Sequence, residues 1–180
     1  MRMMENVGGK RSKYKFVDVD PSRCIACGIC ELVCSFEKNE KKSFNPLYSR
    51  IKVVRLNGTN MAIACRVCED APCVKACPRN ALMQSEDNGV IIVNKYKCTG
   101  CGWCLMVCDF GSIVLTEEGI AATCDLCVER EKSRVFPGRR MVQQACIEWC
   151  PEEALSLVNR HELPKKTLRE TIAKLAVSET

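Results

Sequence analysis

Sixteen cysteines are the residues of this 180-residue chain that could do chemistry, and they fall into four groups of four. The first and third groups have the spacing C-x2-C-x2-C-x3-C, the second has C-x2-C-x4-C-x3-C and the fourth has C-x2-C-x18-C-x3-C. In chain order the groups are Cys24, Cys27, Cys30 and Cys34; Cys65, Cys68, Cys73 and Cys77; Cys98, Cys101, Cys104 and Cys108; and Cys124, Cys127, Cys146 and Cys150. Thiolates in such numbers either bind metal or, once oxidised, form disulfides.

The spacing within the groups predicts 4Fe–4S clusters. A tight loop with a cysteine at every third residue can point three thiolates at one cube, and small residues such as Ala26, Gly28 and Gly100 permit the close approach. The last cysteine of a group points away and binds a second cluster, so groups act in reciprocal pairs. Pro78 and Pro151 close the second and fourth groups. Four groups therefore predict four clusters with no cysteine left over.

Zinc and disulfides are the competing interpretations. The fourth group alone, with two separated pairs, also fits structural zinc, whereas the first and third would crowd one tetrahedral ion. A disulfide framework is typical of secreted chains shorter than about 100 residues. Residues 1–10 contain no apolar stretch and no small-residue cleavage site, so we expect no signal peptide. We therefore expect a reducing, cytoplasmic location, with export alongside a partner subunit left open.

Short apolar strands are expected before and after every cysteine group. They are predicted at residues 14–20, 50–56, 61–64, 81–83, 90–93, 113–115, 120–123 and 154–158. Residues 61–116 hold the second and third groups and form one contiguous module, while the first and fourth groups flank it and can pair only with each other. The predicted fold is α+β, with two interlaced bacterial-ferredoxin-like modules of two 4Fe–4S clusters each. The outer module comprises 14–60 plus 117–160, and the inner module comprises 61–116.

Two further segments carry no cysteine. Residues 128–145 form a long basic insertion within the fourth group. Residues 161–180 form a tail, in which a helix is predicted because Leu168, Ile172 and Leu175 recur on one face. That face packs on the chain's own body or, as the alternative, docks on a partner subunit.

Other functions find little support in the composition. The net charge of +5 counts cysteines as neutral; four oxidised clusters would bring it to about −3, and no basic–aromatic interleaving favours nucleic acid. No run approaches the ~20 apolar residues of a membrane span, and no GxGxxG loop indicates flavin or nicotinamide binding. His161, the one histidine, is expected at the surface, and Trp103 and Trp149 are expected to cover clusters rather than relay electrons.

Three stretches of the sequence resemble a known family. Residues 65–78 (CRVCEDAPCVKACP) and 123–127 (TCDLC) are similar to the second and fourth motifs of the four-cluster ferredoxin-like subunits of dimethyl sulfoxide reductase, formate dehydrogenase and nitrate reductase complexes. Closer in size are short variants attached to carbon monoxide dehydrogenase, hydrogenases and tungsten aldehyde-oxidoreductase-type enzymes, including benzoyl-CoA reductase. Residues 45–51 resemble the stretch after the first motif in the short, carbon-monoxide-dehydrogenase-type members. The resemblance covers roughly residues 14–160. It departs at Ser35 and Asp109, which follow Cys34 and Cys108 where proline is common.

The resemblance implies four ligand sets, here called sets 1 to 4. Set 1 is Cys24, Cys27, Cys30 and Cys150; set 2 is Cys34, Cys124, Cys127 and Cys146; set 3 is Cys65, Cys68, Cys73 and Cys108; set 4 is Cys77, Cys98, Cys101 and Cys104. Each set takes three cysteines from one group and one from its partner group. All sixteen thiolates are then used, so no catalytic residue is expected.

The function implied is electron transfer for an anaerobic oxidoreductase rather than catalysis by the chain itself. The expected partner is a large catalytic subunit, with a tungsten or molybdenum pterin enzyme of the aldehyde-oxidoreductase or benzoyl-CoA-reducing type favoured. Electrons would pass singly between it and an external carrier or a further redox subunit. The alternatives are a free soluble polyferredoxin and an electron-transfer partner of carbon monoxide dehydrogenase or hydrogenase.

Overall fold

The computed structural model describes residues 14–40, 43–56, 59–128 and 144–160. All sixteen cysteines lie within these ranges. The tail at 161–180 with its predicted helix, His161 and residues 129–143 of the basic insertion lie outside the described residues.

The two ends of the described chain are joined by a pair of strands. β1 (Lys15–Val19) precedes the first cysteine group, and β8 (Leu155–Asn159) follows the fourth. They pair antiparallel, with Lys15 opposite Asn159 and Val19 opposite Leu155. The first and fourth groups are therefore held side by side although about a hundred residues separate them.

Three short antiparallel hairpins make up the other sheets that the structure describes. β2 (Ile51–Leu56) pairs with β3 (Thr59–Ala64), β4 (Leu82–Gln84) with β5 (Ile91–Val93), and β6 (Val114–Leu115) with β7 (Ala121–Ala122). Five of these six strands precede or follow a cysteine group, and β2 is joined to the second group through β3 of the same hairpin. The β2–β3 and β6–β7 hairpins both span the expected module boundaries, at 60/61 and 116/117.

Each cysteine group contains one helix, which holds the group's third cysteine. The helices are α1 (Ile29–Lys38), α2 (Pro72–Lys75), α3 (Trp103–Met106) and α4 (Ala145–Glu148). α2, α3 and α4 each end two residues before the last cysteine of their group, whether a proline follows that cysteine or, in the third group, Asp109 does. Ser35 follows Cys34 instead, and α1 continues for a further turn to Lys38. A 3-10 helix at Pro46–Tyr48 then leads into β2.

The hydrophobic core is built around the cysteines. One continuous cluster of buried residues joins strands from both ends and the middle of the described chain. It includes seven cysteines, and five more cysteines pack against it. Its largest apolar members include Phe16, Val17, Ile51, Val67, Leu82, Val90, Ile91, Ile113, Ile147 and Leu155. Since few large apolar side chains are available, much of the packing in the described chain involves the cysteines themselves.

Candidate metal centres

A left-handed residue precedes the second cysteine in every group. Ala26, Val67, Gly100 and Leu126 have φ of +54°, +49°, +66° and +56°. This conformation is rare for residues other than glycine, and a β-branched residue such as Val67 adopts it only at a cost of about 1–3 kcal/mol. Four loops of different sequence thus share one strained shape, as expected if each wraps an object of the same kind.

Three cavities are each lined by one complete four-cysteine set. Their other lining residues differ, but each brings three cysteines of one group to one cysteine of another group. Cys24, Cys27, Cys30 and Cys150 line the first cavity, Cys34, Cys124, Cys127 and Cys146 line the second, and Cys77, Cys98, Cys101 and Cys104 line the third. These groupings are the ones that the resemblance implies for sets 1, 2 and 4.

The remaining four cysteines, expected as set 3, also lie near one another. Burial, together with negative charge on Cys65, Cys108 and Cys68, raises the pKa of Cys73 to about 12. Burial likewise raises the pKa of Cys65, with Cys68 and Cys108 adding to the effect. The structure therefore brings Cys108 of the third group to three cysteines of the second.

The cysteine sets suit a cluster better than a single ion or a disulfide. All sixteen cysteines are free thiols. Among the described residues, no three Cys, His, Asp or Glu side chains converge closely enough to bind one metal ion. Zinc needs its four ligands about 2.0–2.3 Å from a single point, whereas a 4Fe–4S cube places its cysteine sulfurs at four separate corners. The donor sets therefore fit 4Fe–4S clusters.

Set 2 is the most deeply buried of the four. All of its cysteines are buried, and burial raises the pKa of Cys34, Cys124 and Cys146. Four thiolates in such a place need the positive charge of bound metal to remain ionised. Sets 1 and 4 instead reach the surface, because Cys27 and Cys101 are exposed.

An ion triad lies beside set 2. The carboxylate of Asp125 accepts from Lys38 Nζ and from Arg50 Nη1, each at 2.7 Å, and its Oδ1 also accepts from the backbone N–H of Cys127 at 3.0 Å. Burial raises the pKa of Asp125, but the charges of Arg50 and Lys38 outweigh it and hold that pKa below the ordinary range. The triad fixes the loop between Cys124 and Cys127 and adds two cations near a site of negative charge.

Backbone N–H groups point at several cysteine sulfurs. Ala81 N–H donates to Cys77 Sγ at 3.2 Å and Ala154 N–H donates to Cys150 Sγ at 3.3 Å, each four residues along from its cysteine. A further donor, Arg50 N–H, lies 3.3 Å from Cys34 Sγ. Such bonds stabilise thiolate charge and tune the potential of a bound cluster.

Sequence reasoning missed both the triad and these sulfur contacts. Arg50 appeared only as the first residue of a predicted strand and Asp125 only within the 123–127 motif, and Lys38 was not singled out. The signal available was the position four residues after each last cysteine, which holds Ala81 in the second group and Ala154 in the fourth. Aligning the groups with one another would have singled it out.

Trp103 only partly matches its expected covering role. It lines the set 4 cavity, but 56% of its surface is exposed, so it shields one side of the cavity at most. Trp149 directly follows α4 and is partly buried. No helix among the described residues is both long enough and apolar enough to cross a bilayer.

Comparisons with known proteins agree with this site. A family model described as a 4Fe-4S dicluster domain matches residues 58–160, and one described as a 4Fe-4S binding domain matches residues 17–37. Together the two matches include all sixteen cysteines.

Three curated relatives match along most of their length. An iron–sulfur protein of Rhodospirillum rubrum is 39% identical, over 78% of this chain and 80% of the relative. Electron transport protein HydN of Escherichia coli is 32% identical, over 83% of this chain and 90% of its own. The polyferredoxin-like subunit of an aliphatic sulfonate oxidoreductase of Pyrococcus furiosus is 35% identical, over 81% of this chain and 79% of its own.

Proposed function

The chain belongs to the 4Fe-4S dicluster family of iron–sulfur electron-transfer subunits, and from that premise we propose that it relays single electrons through four clusters between a catalytic oxidoreductase subunit and a second redox carrier. The observation that carries the proposal is the convergence of the sixteen cysteines into four sets of four, each drawn from two groups. The clusters supply reversible one-electron chemistry when bound. The chain supplies their ligands, their spacing and their shielding from water.

We assign the ligands as sets 1 to 4. Three cavities and the mutual charge effects among Cys65, Cys68, Cys73 and Cys108 support this assignment. The C-terminal cysteine of each group serves the neighbouring set, which ties two distant segments together through each cluster. Cluster binding would then contribute directly to the free energy of folding.

The order of the sets along the path is proposed to be 1, 2, 3, 4. Sets 1 and 2 share α1, which holds both Cys30 and Cys34. Ala64 lines the set 2 cavity and directly precedes Cys65 of set 3. Sets 3 and 4 meet at α2, since Cys73 lies in that helix and Cys77 two residues after it.

The two ends of this path are where electrons would enter and leave. The exposed cysteines belong to set 1, through Cys27, and to set 4, through Cys101, whereas every cysteine of set 2 is buried. A partner that docks at either end can approach a cluster closely, while the cluster of set 2 stays shielded from solvent. This arrangement suits a relay between two partners better than a store with one opening.

We further propose that the outer and inner modules, 14–60 plus 117–160 and 61–116, are interlaced rather than separable domains. The pairing of β1 with β8 supports the outer module, and the hairpins β2–β3 and β6–β7 supply contacts between the two. Residues 161–180 are proposed to form a helix that packs on the two modules or on the partner subunit.

For the partner we favour a large catalytic subunit with a tungsten or molybdenum pterin, in the cytoplasm. Support comes from the Pyrococcus relative, whose name places it as a subunit of an oxidoreductase. The free-carrier alternative is favoured by HydN, whose name mentions electron transport alone.

Anaerobic native purification from the source organism separates these possibilities. Co-elution with a large chain that contains tungsten or molybdenum supports the proposal. A holo-protein that elutes alone, at the 20.2 kDa of this chain, would favour the free carrier. A large partner without either metal would contradict the pterin assignment while leaving the relay intact.

A further inference from the structure

The last cysteine of three groups begins the same turn. In these turns the third residue after the cysteine donates its N–H to the cysteine carbonyl oxygen, at 3.2 Å for Asn80, 3.0 Å for Gly111 and 3.3 Å for Glu153. All three residues have positive φ, between +48° and +56°. The turn therefore places the fourth residue after the cysteine close to the cysteine sulfur.

The fourth residue after the last cysteine differs among these three groups by one hydroxyl oxygen. The second and fourth groups have alanine there, Ala81 and Ala154, and the third has Ser112. All three residues are buried, with 0%, 4% and 4% of their surfaces exposed. The third group thus has a hydroxyl where the equivalent turns have only a methyl group.

The hydroxyl of Ser112 lies against cysteine sulfur. Its Oγ is 3.4 Å from Cys108 Sγ. A thiolate bound to iron has no proton to donate, so the hydroxyl must be the donor in the cluster-bound protein. The backbone N–H groups of Phe110, Gly111 and Ser112 also donate to the sulfur of Cys108. The side chain of Ser112 forms a hydrogen bond with the sulfur of Cys65 as well.

We propose that Ser112 is a positioning residue that sets the potential of one cluster, the one held by set 3, above the value that an alanine at this position would give. The inference rests on the proposed ligand set, because Cys108 and Cys65 come from different groups and meet only there. Reduction adds negative charge to the cluster and its sulfurs, so a donor aimed at them favours the reduced state. The two sulfurs that the hydroxyl reaches would belong to the same cluster, so its effect should be confined to that cluster.

The test is an anaerobic redox titration of the holo-protein followed by electron paramagnetic resonance. Ser112→Ala should shift one of the midpoint potentials to a more negative value and leave the others unchanged. Ser112→Thr, which keeps the hydroxyl, should restore that potential toward the original. The matched control is Ser49→Ala, since Ser49 is also fully buried but its hydroxyl donates to the Ile51 carbonyl at 2.6 Å.

A gain-of-function variant keeps the test decisive. Ala154→Ser places a hydroxyl at the equivalent, equally buried position of the fourth group and should raise the potential of a different cluster. If Ser112→Ala loses a cluster, the result with Ala154→Ser decides. The inference is then overturned if Ala154→Ser raises no midpoint potential. It is also overturned if Ser112→Ala shifts no potential or if Ser49→Ala shifts one equally. Iron analysis of the unmodified protein tests the proposed function separately. Missing clusters in that protein would contradict the proposed function, whereas the potentials of the variants test only the role of Ser112.

Discussion

The triad of Asp125, Lys38 and Arg50 offers a quantitative prediction about stability. Their side chains are 23%, 13% and 25% exposed, so the carboxylate is mostly withdrawn from water between two cations. Asp125→Asn keeps the shape and an acceptor for Cys127 N–H but leaves two partly buried cations without their counter-charge. Breaking a fully buried pair costs about 3–5 kcal/mol, and with roughly a quarter of the carboxylate still wet we expect about 2–3 kcal/mol here.

The assay is the rate at which cluster absorbance bleaches in guanidinium under anaerobic conditions. A loss of about 2–3 kcal/mol corresponds to at most about 30- to 150-fold faster bleaching. The control is Arg23→Gln, which removes an exposed ion pair with Glu153 at 3.9 Å and should change the rate little. Asp125→Asn bleaching no faster than Arg23→Gln would refute the reasoning.

The same triad predicts how this effect depends on pH. The pKa of Asp125 is lowered from its ordinary 3.8 by Arg50 and Lys38, against the effect of burial. A carboxyl with a lowered pKa contributes stability that is fully present above its unfolded pKa and is lost only as the pH falls through the folded pKa. The difference between Asp125→Asn and the unmodified protein should therefore be the same at pH 6 and pH 8. A difference that shrinks between those values would contradict the assignment.

Two further pairs of substitutions test the ligand sets and the loop geometry. Cys150→Ala should disturb the cluster of set 1, and Cys146→Ala should disturb the cluster of set 2. Each variant should contain about twelve to fifteen irons per chain instead of about sixteen. If both variants lose the paramagnetic signal of the same cluster, the assignment is contradicted. Gly100→Ala would place a Cβ 2.5 Å from the Gly119 carbonyl oxygen, whereas Gly102→Ala meets open space at a similarly positive φ. Gly100→Ala should therefore lower stability by about 1–2 kcal/mol more than Gly102→Ala does, and its clusters should bleach faster in guanidinium. Equal bleaching rates in the two variants would refute the clash.

The strands were the most predictable part of the fold. Each expected strand is present within one or two residues of its predicted bounds, because short apolar runs between cysteine groups have few other ways to pack. Strand pairing was not predicted. β3 contains the expected boundary at residue 60 and pairs with β2, which precedes that boundary. The sequence signal was Asn57-Gly58 between the two apolar runs, a dipeptide typical of two-residue hairpin connections.

The cysteine groups were recognisable because their spacing reflects the shape of what they bind. The residues around them were harder to recognise. Asp125 acts through contacts with Lys38 and Arg50, which are distant in sequence. Ser112 contacts Cys108 within one local turn, and its position stands out only when the groups are aligned with one another. The departures at Ser35 and Asp109 also had different consequences. α1 runs on past Cys34, whereas the turn after Cys108 still forms, because Gly111 adopts the positive φ of +56° that closes it.

Metal and sulfide analysis of anaerobically purified protein tests the central claim most directly. If the four cysteine sets hold 4Fe–4S clusters, each chain contains about sixteen irons and about sixteen acid-labile sulfides, and no stoichiometric zinc. A chain with far fewer irons, or with zinc bound in their place, would contradict the account.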